Sequence, residues 1–212
     1  IASERETYNE KLIKDEILAL TQNQIQALLT MQIEALTPSQ MVFLDISQIS
    51  VLTTAQAFAI TSNEILQLTT LQITALKTSQ IARIKSEAIS GLLINQLIVL
   101  TPAQINVITT LELINISVYN IDDFLDLQIQ ALLTSQINAL NTEQFNALTA
   151  SQMQMLLTYQ ITAISFEDIA NLLAEDIPLL LTSQIAVFTT AQLKIFSRKQ
   201  LGALTKDQMD TL

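Results

Sequence analysis

The chain has 212 residues, 50% of them hydrophobic and 14% charged, with 20 acidic residues, 10 basic residues and no Cys, His or Trp. The missing His and Cys exclude a Ser-His-Asp triad, a Cys-His pair and an ordinary zinc site, so an enzyme would have to work with carboxylates, hydroxyls or lysine. A net charge of -10 repels phosphate and anionic lipid, which disfavours nucleic acid and membrane surfaces as partners.

The first predicted element is an N-terminal cap over residues 1–15. This segment is rich in charged side chains, which surround the apolar pair Leu12 and Ile13. Repeat arrays need a polar cover over the core face that is exposed at their ends. We therefore expect residues 1–15 to cover the start of a single repeat array that occupies residues 16–212.

Residues 16–212 follow an eight-residue repeat, or octad, without an insertion or a deletion. From Glu16 onward every eighth residue is almost always Gln, beginning with Gln24 and Gln32. An apolar residue follows each Gln, and a second apolar column lies three places further on, as in Ile25 and Leu28. The consensus is L-T-x-x-Q-I-x-A.

Each octad reads as the start of one short helix. Thr fits the N-cap, and Gln three residues later fits the partner position of a capping box. The Leu before Thr and the Ile after Gln fall at the two positions of a hydrophobic staple. Pro38 and Pro102 stand at the first helical position, where Pro is favoured. We predict one helix of about seven residues per octad, with three apolar positions buried.

The period of eight excludes the simpler folds. A continuous helix needs apolar recurrence near 3.6 residues, and a β-solenoid needs alternation. The predicted fold is therefore an all-α solenoid of very short capped helices. The variant L-L-T-x-Q recurs at intervals of 24 residues, at Leu133, Leu157 and Leu181, which favours three octads per coil. Coils of two or four octads are the alternatives.

Three segments keep the octad count but change its chemistry, namely 85–95, 113–127 and 166–181. Pro178 falls where the register places the interior of a helix, so we expect local distortion there. Thr205 to Leu212 is still regular repeat, and we expect the natural array to continue beyond it. Polar residues interrupt the longest apolar stretches, so we predict no membrane insertion.

The irregular segments supply the candidate site. We expect them to form an acidic surface patch that binds a protein partner, and its predicted members are Tyr119, Asp122, Asp123, Asp126, Glu167 and Asp168. Carboxylates also suit calcium, but the three aspartates lack the alternating Asp/Asn and Gly pattern of a dedicated loop. An acid/base pair for glycoside hydrolysis is the enzymatic alternative, but neither aromatic platforms nor a pocket accompany these carboxylates. We predict no catalytic residue, metal or cofactor.

The octad resembles the L-T-x-x-Q-I-x-A-L tandem repeats of large bacterial secreted and surface proteins, most clearly at 20–27, 36–51, 100–107 and 148–155. That resemblance covers nearly all of the chain after Asp15. It implies a bacterial, exported scaffold or adhesion-type protein, and an effector delivered into a host cell is the alternative. The irregular octads depart from the purest arrays of this kind.

Two functions follow from this sequence. In the first, the array is a non-enzymatic scaffold for protein–protein interaction through the acidic patch. In the second, it is a spacer or stalk segment whose length is its function. The irregular octads change their surface chemistry in clusters and yet keep the octad count. A spacer has no need of such clusters, so this observation favours the scaffold.

Overall fold

The computed structural model describes residues 13–212, and this part of the chain forms helices and turns without a strand. The described residues divide into two compact units, 13–108 and 109–212. The first twelve residues of the predicted N-terminal cap lie outside the described residues, and residues 13–15 belong to the first helix. The all-α fold, with one short helix in nearly every octad, is confirmed.

The helices of the first unit are α1 (described over 13–18), α2 (Gln22–Ala27), α3 (Thr30–Glu34), α4 (Pro38–Met41), α5 (Ile46–Val51), α6 (Thr54–Ala59), α7 (Ser62–Ile65), α8 (Thr70–Ala75), α9 (Thr78–Ile81), α10 (Ser86–Ser90), α11 (Ile94–Leu97) and α12 (Pro102–Asn106). Those of the second unit are α13 (Thr110–Ile114), the 3-10 helix η1 (Val118–Asn120), α14 (Asp126–Ala131), α15 (Thr134–Ala139), α16 (Thr142–Asn146), α17 (Ala150–Met155), α18 (Thr158–Ile161), α19 (Phe166–Asn171), the 3-10 helix η2 (Ile177–Leu179), α20 (Thr182–Ile185), α21 (Thr190–Leu193), α22 (Arg198–Ala203) and α23 (Lys206–Met209).

Reciprocal capping boxes start many of these helices. At α2, the Thr21 N–H donates to Gln24 Oε1 at 2.8 Å, and the Gln24 N–H donates to Thr21 Oγ1 at 3.3 Å. The same pair of bonds begins α6 and α12 from Thr53 and Thr101. Short helices expose most of their terminal N–H groups, so these bonds stabilise each corner of the chain.

The L-L-T-x-Q octads, which depart from the consensus, begin their helices without a Thr N-cap. There the N-caps of α15, α18 and α20 are Leu133, Leu157 and Leu181, and the following Thr is the first helical residue. Leu has no side-chain acceptor, so only the Gln half of the box remains; Gln160 Oε1, for example, accepts from the Leu157 N–H at 2.8 Å. These helices therefore begin with one capping bond fewer.

The core of each octad consists of residues from two apolar columns and of the Gln side chain, which recurs every eight residues. In α6 and the residue after it, Gln56, Ala57 and Ile60 are buried. The small residue that was predicted to be the third buried position is mostly not buried, as at Ala27 and Ala139. The prediction of three apolar positions per octad is thus corrected to two apolar positions and one amide.

Helices pack on the third helix along the chain, which agrees with three octads per coil. In the first unit α2 packs on α5, α3 on α6 and α5 on α8. In the second unit α14 packs on α17 and α16 on α19. Helices this short are not stable alone in water, so their stability comes from this stacking.

Most of the buried Gln amides also bind the corner one coil earlier. Gln56 Nε2 donates to the carbonyls of Ile25 and Leu28, at 2.7 and 2.8 Å, where α2 ends. Gln160 does the same to Ile129 and Leu132 in the second unit. Paired bonds to carbonyls 28 and 30–31 residues earlier are made by Gln48, Gln56, Gln72, Gln80, Gln96, Gln104, Gln144, Gln152, Gln160, Gln184, Gln192, Gln200 and Gln208.

One side chain therefore satisfies both kinds of helix end. Its Oε1 accepts a hydrogen bond from an N–H at the start of its own helix, and its Nε2 donates hydrogen bonds to carbonyls at the end of an earlier helix. We name this column of buried amides the Gln column. In the part of the chain that the structure describes, no buried side-chain nitrogen or oxygen lacks a hydrogen-bond partner.

The irregular octads keep their place in the stack with altered local structure. The segment 85–95 remains helical in α10 and the start of α11, whereas the octad after Ser117 forms the 3-10 helix η1 and a turn. Pro178 lies in the 3-10 helix η2, where the regular octads have an α-helix. The distortion predicted at Pro178 is confirmed.

Candidate functional site

An acidic turn follows η1 and runs into the first residue of α14. Asp122, Asp123 and Asp126 are exposed, and Tyr119 in η1 is 84% exposed. In the described structure the side chains of these three aspartates make no hydrogen bond or ion pair. They contribute nothing visible to the fold, so their carboxylates are available to a ligand.

The backbone of this turn is held firmly while its side chains face solvent. Ile121 and Phe124 are buried on either side of the two adjacent aspartates. Gln152 Nε2 in α17 donates to the carbonyls of Ile121, Asp122 and Phe124, at 3.0, 3.1 and 2.8 Å. The Gln column thus fixes the turn from within and leaves its carboxylates outside.

The other two predicted acids lie at the start of α19, and only one is on the surface. Glu167 is exposed. Asp168 is 1% exposed and occupies the Gln column, where it accepts the Ser165 hydroxyl at 2.6 Å while its own N–H donates to Ser165 Oγ at 3.0 Å. The placement of Asp168 on the surface patch is therefore wrong, because its carboxyl group is buried and binds the hydroxyl of Ser165, the N-cap of α19.

Burial raises the pKa of Asp168 above the ordinary value, and the charge of Glu167 raises it further. Hydrogen bonds from Ser165 and Thr142 oppose this rise. Burial also raises the pKa of Asp176, to which the neighbouring Glu175 adds. Both residues stand at Gln positions of the octad register, so the second unit carries ionisable groups where the repeat has a neutral amide.

We expect Asp168→Asn to stabilise the protein at neutral pH and to lose this advantage in acid. Because the pKa of Asp168 is raised in the folded state, the folded protein binds this proton at a higher pH than the unfolded chain does. The wild type therefore gains stability as pH falls from the folded-state pKa toward the unfolded-state value of 3.8. The Asn variant lacks that gain. Urea unfolding of both proteins between pH 7 and pH 4 measures the difference. An advantage that is independent of pH would contradict this assignment.

The structure does not join the two acidic clusters into one site. The acidic turn is bonded to α17, whereas Glu167 belongs to α19, which packs on α16. Among residues 13–212, no group of three or more His, Cys, Asp or Glu side chains is arranged to hold a metal ion. The acidic turn is thus the part of the predicted patch whose geometry suits binding.

Charge is strongly segregated along the sequence. No Lys or Arg occurs between Lys85 and Lys194, and this stretch contains ten acidic residues. The rest of the chain has as many acidic as basic residues, so this stretch carries the whole net charge of -10. A stretch with ten acidic residues and no basic residue favours a basic ligand.

Sequence reasoning missed a set of exposed apolar residues at helix starts. Leu125, Leu133, Leu157 and Leu181 stand at N-cap positions of the second unit and are all more than one-third exposed. The L-L-T-x-Q pattern that contains three of them indicates the number of octads per coil, but it was not recognised as a surface feature. This pattern places Leu at the N-cap, where most octads have a Thr that caps the helix. The loss of the capping side chain was the feature of the sequence that could have indicated a role other than folding.

Comparison of the chain with protein-family models, curated sequences and solved structures gave no match. None of the helices in the described part of the chain is long and apolar enough to cross a membrane.

Proposed function

We propose that this chain is a non-enzymatic scaffold that binds a basic region of a protein partner through the acidic turn. The observation that carries this proposal is the set of exposed, unengaged carboxylates of Asp122, Asp123 and Asp126 on a rigidly held backbone. A rigid turn loses little entropy on binding, and its charge steers a cationic partner toward it. Tyr119 adds an exposed aromatic side chain, a type enriched at binding surfaces.

The test removes the acidic turn while keeping the octad. A variant with Asp122→Gln, Asp123→Ala and Asp126→Thr carries residues that regular octads have at these positions, as in Gln26, Ala27 and Thr54. We expect the immobilised wild type to retain a basic protein from host or bacterial lysate and this acid-reset variant to lose it. Mass spectrometry of the eluates at low and high salt gives the result.

A control of equal charge separates the turn from net charge. Glu34→Gln, Glu87→Ser and Asp207→Ser remove three exposed acids elsewhere, and this variant is expected to retain the partner. If both variants lose the partner equally, binding depends on the overall negative charge of the chain and not on the acidic turn. Retention by neither variant nor wild type, with all three proteins folded, would reject the scaffold.

The second candidate function is a spacer or stalk segment, and the regular Gln column favours it. Amide bonds that recur in each unit at the same separations suit a stiff segment whose length matters. A spacer tolerates deletion of a full set of three octads with proportionate shortening. A scaffold loses partner binding when the octads that carry the acidic turn are deleted.

We also propose a bacterial secreted or surface location, with delivery into a host cell as the alternative. The resemblance of the octad to tandem repeats of exported bacterial proteins supports this location. Immunodetection of the natural protein in culture supernatant, surface and host-cell fractions distinguishes the two. Detection only inside the bacterial cell would reject both.

A further inference from the structure

An exposed apolar ridge runs across three successively packed helices of the second unit. Leu133, Leu157 and Leu181 are the N-caps of α15, α18 and α20, and each helix packs on the next. Their side chains are 42%, 37% and 46% exposed. Equivalent residues in neighbouring coils thus form a line of leucines at the surface.

The fold does not account for these leucines. Thr at this position caps the helix, as Thr149 does in α17, while Leu supplies no acceptor. Exposed Leu also leaves apolar surface in water. Both effects favour Thr for folding. Leu29 and Leu93 of the first unit occupy this position singly, so it is the run of Leu in three successive coils that points to a role outside the folded chain.

A groove lies along this ridge between α17, α18 and α20. Met155, Leu157, Tyr159 and Leu181 contribute its apolar lining. Gln130 Nε2 contacts Met155 Sδ at 3.7 Å on one wall, and Gln154, also on the lining, donates to the Leu179 carbonyl at 2.8 Å. The groove is therefore built on elements that internal hydrogen bonds hold in place.

The acidic turn adjoins this groove. Asp126 and Gln130 are four residues apart in α14, which places them on one face of that helix. The Asp122 carbonyl accepts from Gln152 in α17, the helix that contains Met155. The Asp126 carboxylate on α14 is thus a neighbour of the apolar lining that Gln130 and Met155 share. The absence of Lys and Arg between Lys85 and Lys194 means that no basic side chain of this stretch offsets the carboxylates.

We propose that this groove binds a basic amphipathic helix of a partner protein. Its apolar face would lie on Leu157, Leu181 and Tyr159, and its Lys or Arg side chains would face Asp122 and Asp126. Neighbouring coils are roughly 8–10 Å apart, close to the ~10.5 Å that separates residues i and i+7 of a helix. Apolar side chains at this interval therefore match successive leucines of the ridge. This inference rests on the proposed function, because it names the chemistry of the partner.

The test uses three synthetic helical peptides of 18 residues. The first has Leu at i, i+3, i+4 and i+7 spacing and Lys elsewhere; the second replaces Leu with Gln; the third replaces Lys with Glu. Binding is measured by fluorescence anisotropy near physiological salt. We expect the first peptide to bind the wild type at least about tenfold more tightly than either of the others.

The groove-reset variant combines Leu157→Thr, Leu181→Thr and Tyr159→Ser. All three changes insert consensus residues, so we expect the variant to fold at least as well as the wild type, which circular dichroism melting checks. Its affinity for the first peptide should fall about tenfold or more. The matched control, Leu29→Thr, Leu93→Thr and Leu71→Ser, introduces the same residues at the same octad positions of the first unit, and its affinity for the first peptide should be unchanged.

The outcomes separate this inference from the proposed function. If both Lys-bearing peptides bind equally and groove reset has no effect, while the acid-reset variant loses both, the groove is rejected and the acidic turn stands. If the Lys and Glu peptides with Leu bind equally, the groove is merely hydrophobic and the proposed partner chemistry is wrong. If none of the peptides binds the folded wild type, both proposals fail.

Discussion

Replacing Gln104 with Glu should lower the free energy of unfolding by about 3 to 5 kcal/mol at neutral pH. The side chain keeps nearly the same shape and still accepts from the Thr101 N–H, which Gln104 binds at 2.8 Å. It loses the two donors that reach the carbonyls of Ile73 and Leu76, at 3.0 and 2.7 Å. A buried carboxylate then faces two carbonyl oxygens without a compensating donor.

Urea unfolding monitored by circular dichroism measures this loss. The matched control is Gln26→Glu, which makes the same chemical change at an exposed position of α2 and should have little effect. Acidification should restore part of the stability of the Gln104→Glu protein, because a protonated carboxyl group can donate one hydrogen bond. If the two variants are equally stable, the amide bonds of the Gln column do not hold the coils together.

The reverse exchange at Glu64 should stabilise the protein by about 1 to 3 kcal/mol. Glu64 is buried in the Gln column and accepts from the Thr61 N–H at 2.8 Å. The carbonyls of Ile33 and Leu36 lie 31 and 28 residues before Glu64. In the rest of the Gln column, carbonyls at these separations accept hydrogen bonds from a Gln amide. Glu64→Gln supplies that amide, so it adds two donors where the carboxyl group offers only acceptor oxygens to the carbonyls.

The same urea assay tests this gain. Glu34→Gln, at an exposed position of the first unit, is its control and should change stability by less than about 0.5 kcal/mol. A destabilised Glu64→Gln protein would show that the carboxylate has a partner that the amide cannot replace. Together, the two exchanges ask whether the column requires a donor as well as an acceptor.

The preference for Gln over Glu in the sequence already contained this requirement. A capping box accepts Glu as readily as Gln, because only the side-chain oxygen is used. A column that is almost always Gln therefore signals a second bond made by the amide nitrogen. The sequence interpretation assigned the column to capping alone, and the donor half was not predicted.

The acidic residues, like the Gln column, were only partly predictable from the sequence. Asp122, Asp123 and Asp126 were predicted to be exposed and are exposed. Asp168 was predicted to lie with them, but it stands at a Gln position and is buried. Its register in the octad was the available signal, since the Gln positions of the described coils are mostly buried.

The sequence by itself determined one short helix in nearly every octad and the capping box that begins it, and it favoured three octads per coil over two or four. These features depend on residues within one octad, or on a pattern that recurs exactly every eight or 24 residues. Only the tertiary structure decided where each Gln amide binds, which acid is buried and which leucines form a groove. Those contacts join residues 24 or more positions apart, so they exist only once the coils have stacked.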